Sequence, residues 1–313
     1  MQCVVELTTG RIAGTTHDGV AGFRGIPFAL PPTGQRRFRA PEPAEPWAGV
    51  RPAATFGHHA PQNSGPISAL LGGADARQDE DCLYLNVWTP DPGAGRRPVL
   101  VWIHGGAFEI GAGSQAIYDG ARLARRGDLV VVSINYRLGL LGRLDLRANG
   151  GDRLGTTANA ATLDQLLALK WVQENIANFG GDPGQVTIFG ESAGSMSIAT
   201  LLGTPSARGV FQRAVMQSGA ANFVSTAAQG AQLAAGLFTA LALSPQHAER
   251  LWDLPIDQLL AAQQKAFPRL GRGSGLPFQP IIDGDVLPVA PLDAITAGSA
   301  ADIPILIGSN LDE

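Results

Sequence analysis

Apolar residues fall into short runs separated by glycine-rich breaks along most of the chain. Short alternating segments near residues 3–8, 11–15 and 20–24, bounded by glycines, predict antiparallel strands. Further along, strands are expected near 98–103, 129–134, 185–189, 212–217 and 304–308, alternating with helices near 115–126, 160–177, 193–203 and 227–242. That rhythm predicts βαβ units, hence a mostly parallel sheet with helices on both faces. In the second helix Leu163, Leu166, Leu167, Leu169, Val172 and Ile176 recur at helical spacing, which is core packing and not a ligand-binding face. Residues 244–303, rich in Leu, Ala, Gln and Pro, hold no chemical motif.

Composition adds bounds. At 45% hydrophobic, 16% charged and a mean hydropathy of +0.07, the 313 residues can bury a large core and do not read as disordered. Length allows one large or two ordinary domains, and with no Pro/Ser-rich linker or repeat a single domain is expected. A net charge of −4 and a pI near 5.7 argue against a nucleic-acid surface. The cluster Arg36-Arg37-Phe38-Arg39 is short and reads as a solvated face or as ion-pair partners. No run of 18 apolar residues and no basic-then-apolar leader is present, so neither a membrane span nor a signal peptide is expected.

The chemistry begins at residues 187–197. An apolar strand ending, Val186 to Phe189, runs into Gly190-Glu191-Ser192-Ala193-Gly194 and then into a helix-compatible run. A Gly-x-Ser-x-Gly turn in strand–turn–helix context reads as a nucleophile elbow, with the Ser192 hydroxyl pushed outward on a strained turn. Side chains at positions 190 and 194 would collide with the neighbouring strand and helix. Upstream, the apolar run Arg97–Ile103 ends in His104-Gly105-Gly106-Ala107-Phe108. Two glycines after a strand let backbone N–H groups turn toward the negative oxygen of a tetrahedral intermediate. Gly105, Gly106 and Ala193 are the expected donors, and His104 is expected to fix that loop rather than act as a base.

With these residues in place, the chain resembles the type-B carboxylesterase family, the group of bacterial p-nitrobenzyl-type esterases and cholinesterases. Phe23-Arg24-Gly25-Ile26-Pro27-Phe28-Ala29, the block Glu80 to Pro90, Asn135-Tyr136-Arg137-Leu138-Gly139 and Asn178-Phe179-Gly180-Gly181-Asp182-Pro183 follow in the family's order. The resemblance implies an α/β-hydrolase fold: a mostly parallel central sheet with helices on both faces and an N-terminal antiparallel portion. Arg143 departs from the pattern, standing where the family carries an aromatic residue, and Ala158 and Ala161 stand where glycines are usual. The resemblance also places residues 244–303 in the cap and one wall of the substrate gorge. It puts Glu191 and Ser218 in the hydrogen-bond network around the catalytic histidine.

The resemblance assigns the catalytic acid, in Gly308-Ser309-Asn310-Leu311-Asp312-Glu313, to Glu313. The family's order is Ser, then acid, then His, and no histidine follows Glu313. The five histidines are His17, His58, His59, His104 and His247. His247 lies in a polar stretch that reads as a solvated face, and His58-His59 lacks partners at metal-ligand spacing. Residues 1–313 are therefore expected to be one α/β-hydrolase domain incomplete at its C-terminus, about three-fifths of an esterase. The implied activity is hydrolysis of small-molecule carboxylic esters through an acyl-enzyme, with no metal or organic cofactor, no nucleic acid and no membrane partner. An inactive fragment, a cholinesterase-like adhesion or binding module, and an interfacial lipase are the alternatives. In eukaryotic relatives the cysteine matching Cys82 pairs with one shortly upstream, where this chain has Ala60-Pro61-Gln62. Cys82 is expected to be a free buried thiol in a reducing, cytoplasmic compartment.

Overall fold

Apolar, often β-branched, residues on both faces of the pleat bury most positions of the central strands, which assemble into one ten-stranded sheet. The structure, a computed structural model, describes residues 2–63, 77–93, 95–150, 154–267 and 276–312. The strands are β1 (Gln2–Leu7), β2 (Gly10–His17), β3 (Val20–Pro27), β4 (Val50–Pro52), β5 (Tyr84–Thr89), β6 (Arg97–Ile103), β7 (Val130–Ile134), β8 (Gly181–Glu191), β9 (Arg213–Gln217) and β10 (Ile305–Gly308). Their order is β1-β2-β3-β5-β7-β6-β8-β9-β10, with β4 paired to β2. Pairing is antiparallel from β1 to β3, through β5, to β7, and parallel from β7 through β6, β8 and β9 to β10. This is the mixed sheet that the resemblance implied, antiparallel at its N-terminal side.

The helices are α1 (Ala121–Gly127), α2 (Ala160–Asn175), α3 (Ala193–Gly203), α4 (Ala227–Leu241), α5 (Ile256–Ala266) and α6 (Pro291–Thr296). Alternation along a strand sends neighbouring side chains to opposite faces. Val131 and Trp88 accordingly meet Ala124 of α1, while Val87, Val130 and Val132 join the larger core with Leu166, Leu169 and Val172 of α2 and Ile198 of α3. A second cluster ties Leu233, Leu237 and Phe238 of α4 and Leu259 and Ala262 of α5 to Phe108, Leu140, Ala193 and Met196. The segment without chemical motif thus roofs the residues at the strand ends.

Several expectations need correction. The helix expected near 115–126 is broken into a 3-10 turn, Ala116–Tyr118, and α1. Asp119 Oδ1 accepts the Ala121 N–H at 2.9 Å, and a Cβ at Gly120 would press on Val131 and Trp88, so the chain must turn there. Strands β4 and β5 and helices α5 and α6 were not expected. β5 carries Asn86 in the middle of the sheet, where Oδ1 accepts the Gly25 N–H and Nδ2 donates to Ser133 Oγ, so a polar residue interrupts its apolar pattern. Of the two readings of the Arg36–Arg39 cluster, Arg37 takes the ion-pair one and not the solvated face. It is buried, with Nε and Nη2 on the Glu80 carboxylate at 2.7 and 2.5 Å.

The most enclosed ion pair among the described residues joins the Asn135–Gly139 block to α2. Arg137 and Asp164 are 2% and 0% exposed, and the guanidinium donates through Nε and Nη2 to the carboxylate at 2.8 and 2.6 Å. The Arg137 N–H adds a third bond to Asp164 Oδ2 at 3.0 Å. Bidentate geometry of this kind offsets the desolvation of both charges. Arg143 is also buried, over the Phe108 ring at 5.5 Å, with Nη1 donating to Asn159 Oδ1 and Thr162 Oγ1. Burial pushes its guanidinium down to about 10, so it stays charged at neutral pH. Cys82 is a free buried thiol, and Cys3 is free as well.

Candidate active site

Parallel strands end together on one edge of the sheet, and this is where the candidate residues meet. Glu191, the last residue of β8, is in register with Gln217 of β9, and Gln217 with Gly308 of β10. Crevices at this carboxyl edge are where open α/β sheets hold their ligands. Ser192 follows β8 at φ +54°, ψ −122°, and α3 starts at the next residue. A non-glycine residue at positive φ costs on the order of 1–3 kcal/mol and is kept only where the surroundings dictate it. Here they do. The Ser192 N–H donates to the Gln217 carbonyl at 2.9 Å, its own carbonyl accepts from Met196 N at 3.0 Å, and Ser195 Oγ donates to the Gly219 carbonyl at 2.8 Å. A Cβ on Gly194 would overlap the Ile103 carbonyl, and one on Gly190 would sit 2.7 Å from the same atom. Strand β6 therefore passes too close to the turn for any side chain at either position.

The loop after β6 lies directly against this turn. A Cβ on Gly105 would be 2.6 Å from the Glu191 carbonyl and 3.3 Å from Ser192 Cβ. Gly106 has φ +114°, and its carbonyl accepts the N–H groups of Glu109 and Ile110, both at 3.0 Å, so the loop folds back on itself. Ala193 is the first residue of α3, where N–H groups have no acceptor within the helix and the positive end of the helix dipole lies. Of the candidate donors, Gly105 lies against Ser192 and Ala193 follows it in the chain, while Gly106 is the next residue of the same loop. Glu191 is exposed and its negative charge contributes to raising the Tyr118 hydroxyl, after burial. Ser218 N–H donates to the Gly308 carbonyl at 2.8 Å, which places Ser218 at the same sheet edge. Glu313 lies outside the described residues.

Four of the five histidines are engaged elsewhere. His17 contacts Asp18, His247 contacts Glu249, both at 3.4 Å and on the surface, and His59 Nε2 bonds Ser114 Oγ at 2.8 Å. His104 is 1% exposed, stacks on the Tyr136 ring at 4.4 Å, and has Nδ1 2.8 Å from the Gly105 carbonyl. Its carbonyl accepts the Tyr136 hydroxyl at 2.6 Å. Burial pulls the imidazole down to about 4, opposed in part by the Gly105 carbonyl. A neutral, wedged ring suits a support for the loop better than a proton carrier.

That burial has a measurable consequence. The unfolded chain binds a proton at His104 near 6.5 and the folded chain only near 4. Stability from this group is complete above about pH 6.5 and falls by about 1.4 kcal/mol per pH unit down to about pH 4. Urea unfolding of the parent and of His104→Gln, near pH 7 and near pH 5, is expected to show the parent losing about 2 kcal/mol more than the variant. Equal losses would mean that the ring protonates freely in the folded state.

Among the described residues no group of three or more His, Cys, Asp or Glu could hold a metal ion, and no helix is long and apolar enough to cross a membrane.

The profile of the Carboxylesterase family matches residues 1–313. The chain belongs to this family. It is 46% identical over 311 residues to para-nitrobenzyl esterase of Bacillus subtilis (strain 168), covering 99% of this chain and 63% of that protein. Fumonisin B1 esterase of Sphingopyxis macrogoltabida is 40% identical over 312 residues, covering 97% of this chain and 55% of that protein. A solved structure of PNB esterase superposes with a TM-score of 0.92 at 45% identity, over all of this chain and 64% of that one. The chain thus spans less than two thirds of these relatives, and over that span its fold is that of an α/β-hydrolase.

Sequence reasoning missed the supports of the loop after β6. Gln62 brackets Gly111, accepting its N–H at 2.9 Å and donating to its carbonyl at 3.0 Å. Gln263, in α5, reaches Glu109 and the Leu140 N–H. No short-range signal marks either glutamine, because each acts across dozens of residues.

Proposed function

We propose that this chain carries the nucleophile and the oxyanion site of a serine carboxylesterase. The observation that carries the reading is Ser192, held at positive φ between β8 and α3, with the Gly105–Gly106 loop packed on it. Ser192 Oγ would attack the ester carbonyl carbon while a histidine takes its proton. The carbonyl oxygen, now an anion, would lie among the N–H groups of Gly105, Gly106 and Ala193. Collapse expels the alcohol, which receives the proton from the imidazolium, and leaves an acyl-serine. Water, deprotonated by the same imidazole, then releases the acid and restores Ser192.

In this reading the base belongs to polypeptide outside the 313 residues, because His17, His59, His104 and His247 make their contacts elsewhere and the base of this fold follows the acid in chain order. Glu313 orients that histidine, and Glu191 and Ser218 support its hydrogen bonds. The substrates are small uncharged esters of the p-nitrophenyl type, and carbamates and amides fit the same chemistry. The reaction as written needs no metal or organic cofactor. Two free cysteines fit a reducing, cytoplasmic setting.

A fluorophosphonate probe tests the reading, since only an activated serine displaces its fluoride. Treatment of the complete gene product, followed by peptide mass mapping, is expected to place one phosphonyl group on Ser192. No adduct would mean an inactive member of the family that serves as a binding module.

A further inference from the structure

The loop that follows β6 holds three successive residues at positive φ: Gly106 (+114°), Ala107 (+57°) and Phe108 (+62°). Two of them have side chains, so the loop keeps this shape only because its neighbours impose it. Most of those neighbours lie in the blocks that carry the family resemblance. The Phe108 carbonyl accepts the Gly139 N–H at 2.7 Å, and Tyr136 holds the His104 carbonyl. One neighbour lies in the segment without motif. Gln263, 2% exposed on the inner face of α5, accepts the Leu140 N–H at Oε1 (3.0 Å) and donates from Nε2 to Glu109 Oε1 (3.3 Å). Glu109 is 7% exposed, and its own N–H closes the turn on the Gly106 carbonyl. A single amide therefore joins the roof helix, the turn at Gly139–Gly142 and the loop whose Gly105 abuts Ser192.

We propose that Gln263 is a positioning residue: through Glu109 it holds the Gly105–Gly106 N–H groups in the geometry that receives the oxyanion. This inference rests on the esterase reading above. The surroundings explain why the link must be polar and matched. Gln263 follows Ala262 in α5, whose Leu259 and Ala262 pack with Phe108, Leu140 and Leu141 in one apolar cluster, so the buried amide needs polar partners. A carboxylate facing the neutral amide is bonded, whereas two carboxylates at this distance repel. Displacing the loop would leave the ester free to bind while the N–H groups miss the charge that develops in the transition state. The loss should fall on kcat and not on KM, because such donors act mainly on the transition state.

The test is an exchange of the two groups in the complete gene product, assayed on p-nitrophenyl butyrate near pH 8. Gln263→Glu is expected to lower kcat by about tenfold to a hundredfold with KM changed less than about threefold. Affinity for a trifluoromethyl ketone, whose adduct carries the oxyanion, should weaken in step. Glu109→Gln with Gln263→Glu restores an amide facing a carboxylate and should recover most of kcat and of ketone affinity. Gln263→Met, which removes both bonds without adding charge, keeps the test readable if Gln263→Glu folds poorly, and it should show the same split between kcat and KM. Unchanged kcat in the folded single variants would overturn the proposal, as would a double variant no better than Gln263→Glu. Failure of the esterase reading is separate: the parent protein itself would then show neither turnover nor labelling at Ser192.

Discussion

Replacing Ser192 by alanine is expected to lower kcat of the complete gene product on p-nitrophenyl butyrate by at least about 10⁴-fold, with the Tm little changed. The size follows from the role. Without its oxygen there is no acyl-enzyme, and what survives is the contribution of the oxyanion donors to direct attack by water. The fold should tolerate the change, because the Ser192 contacts that shape the turn are made by its backbone N–H and carbonyl. Alanine also keeps the Cβ already present at Ser192 and adds no atom to the turn. The 313-residue chain alone should show no Ser192-dependent turnover. Turnover by the complete protein that survived in the alanine variant would remove Ser192 from the mechanism. Serine-dependent turnover by the short chain would instead mean that one of the five histidines serves as base.

Asp164→Ala is expected to cost about 3–5 kcal/mol of folding stability, the largest single loss outside the sheet core. Among the described residues, the change leaves the Arg137 guanidinium, 2% exposed, with the Arg39 carbonyl at 2.8 Å as its remaining hydrogen-bond acceptor. Water cannot readily reach the charge, and the gap left by the carboxylate adds a cavity. Urea midpoints, with the slope checked for constancy, measure the effect. Asp164→Asn retains the shape and much of the bonding but not the charge, so it should fall between alanine and the parent. A loss below about 1 kcal/mol for the alanine variant would show that the pair is offset by its own desolvation.

Much of the fold was legible because its signals are local. The parallel strands could be read because β6, β7 and β8 are short apolar runs, and their ends fell within a few residues of the observed ones. β5 was not, because Asn86 breaks its apolar pattern while serving Gly25 and Ser133 inside the sheet. The Arg36–Arg39 cluster read as a solvated face or as ion-pair partners, and Arg37 is an ion-pair partner, enclosed by Glu80 and by the Leu251 and Leu254 carbonyls, the latter two more than 200 residues away in sequence. Arg143, where the family carries an aromatic residue, keeps an aromatic contact by lying over Phe108.

The sequence alone determined the strand–turn–helix at Ser192, the glycine loop after β6 and their order along the chain, because each is a contiguous pattern of a few residues, although the approach of β6 that requires glycine at 190 and 194 is tertiary. Tertiary structure decided what those pieces touch. It paired Arg137 with Asp164 across 27 positions and Gln263 with Glu109 across 154, and it set the strand ends of β8, β9 and β10 on one edge. A buried polar group must find a partner, but its own sequence neighbourhood does not say which. Only the packing of distant segments brings that partner within hydrogen-bond reach.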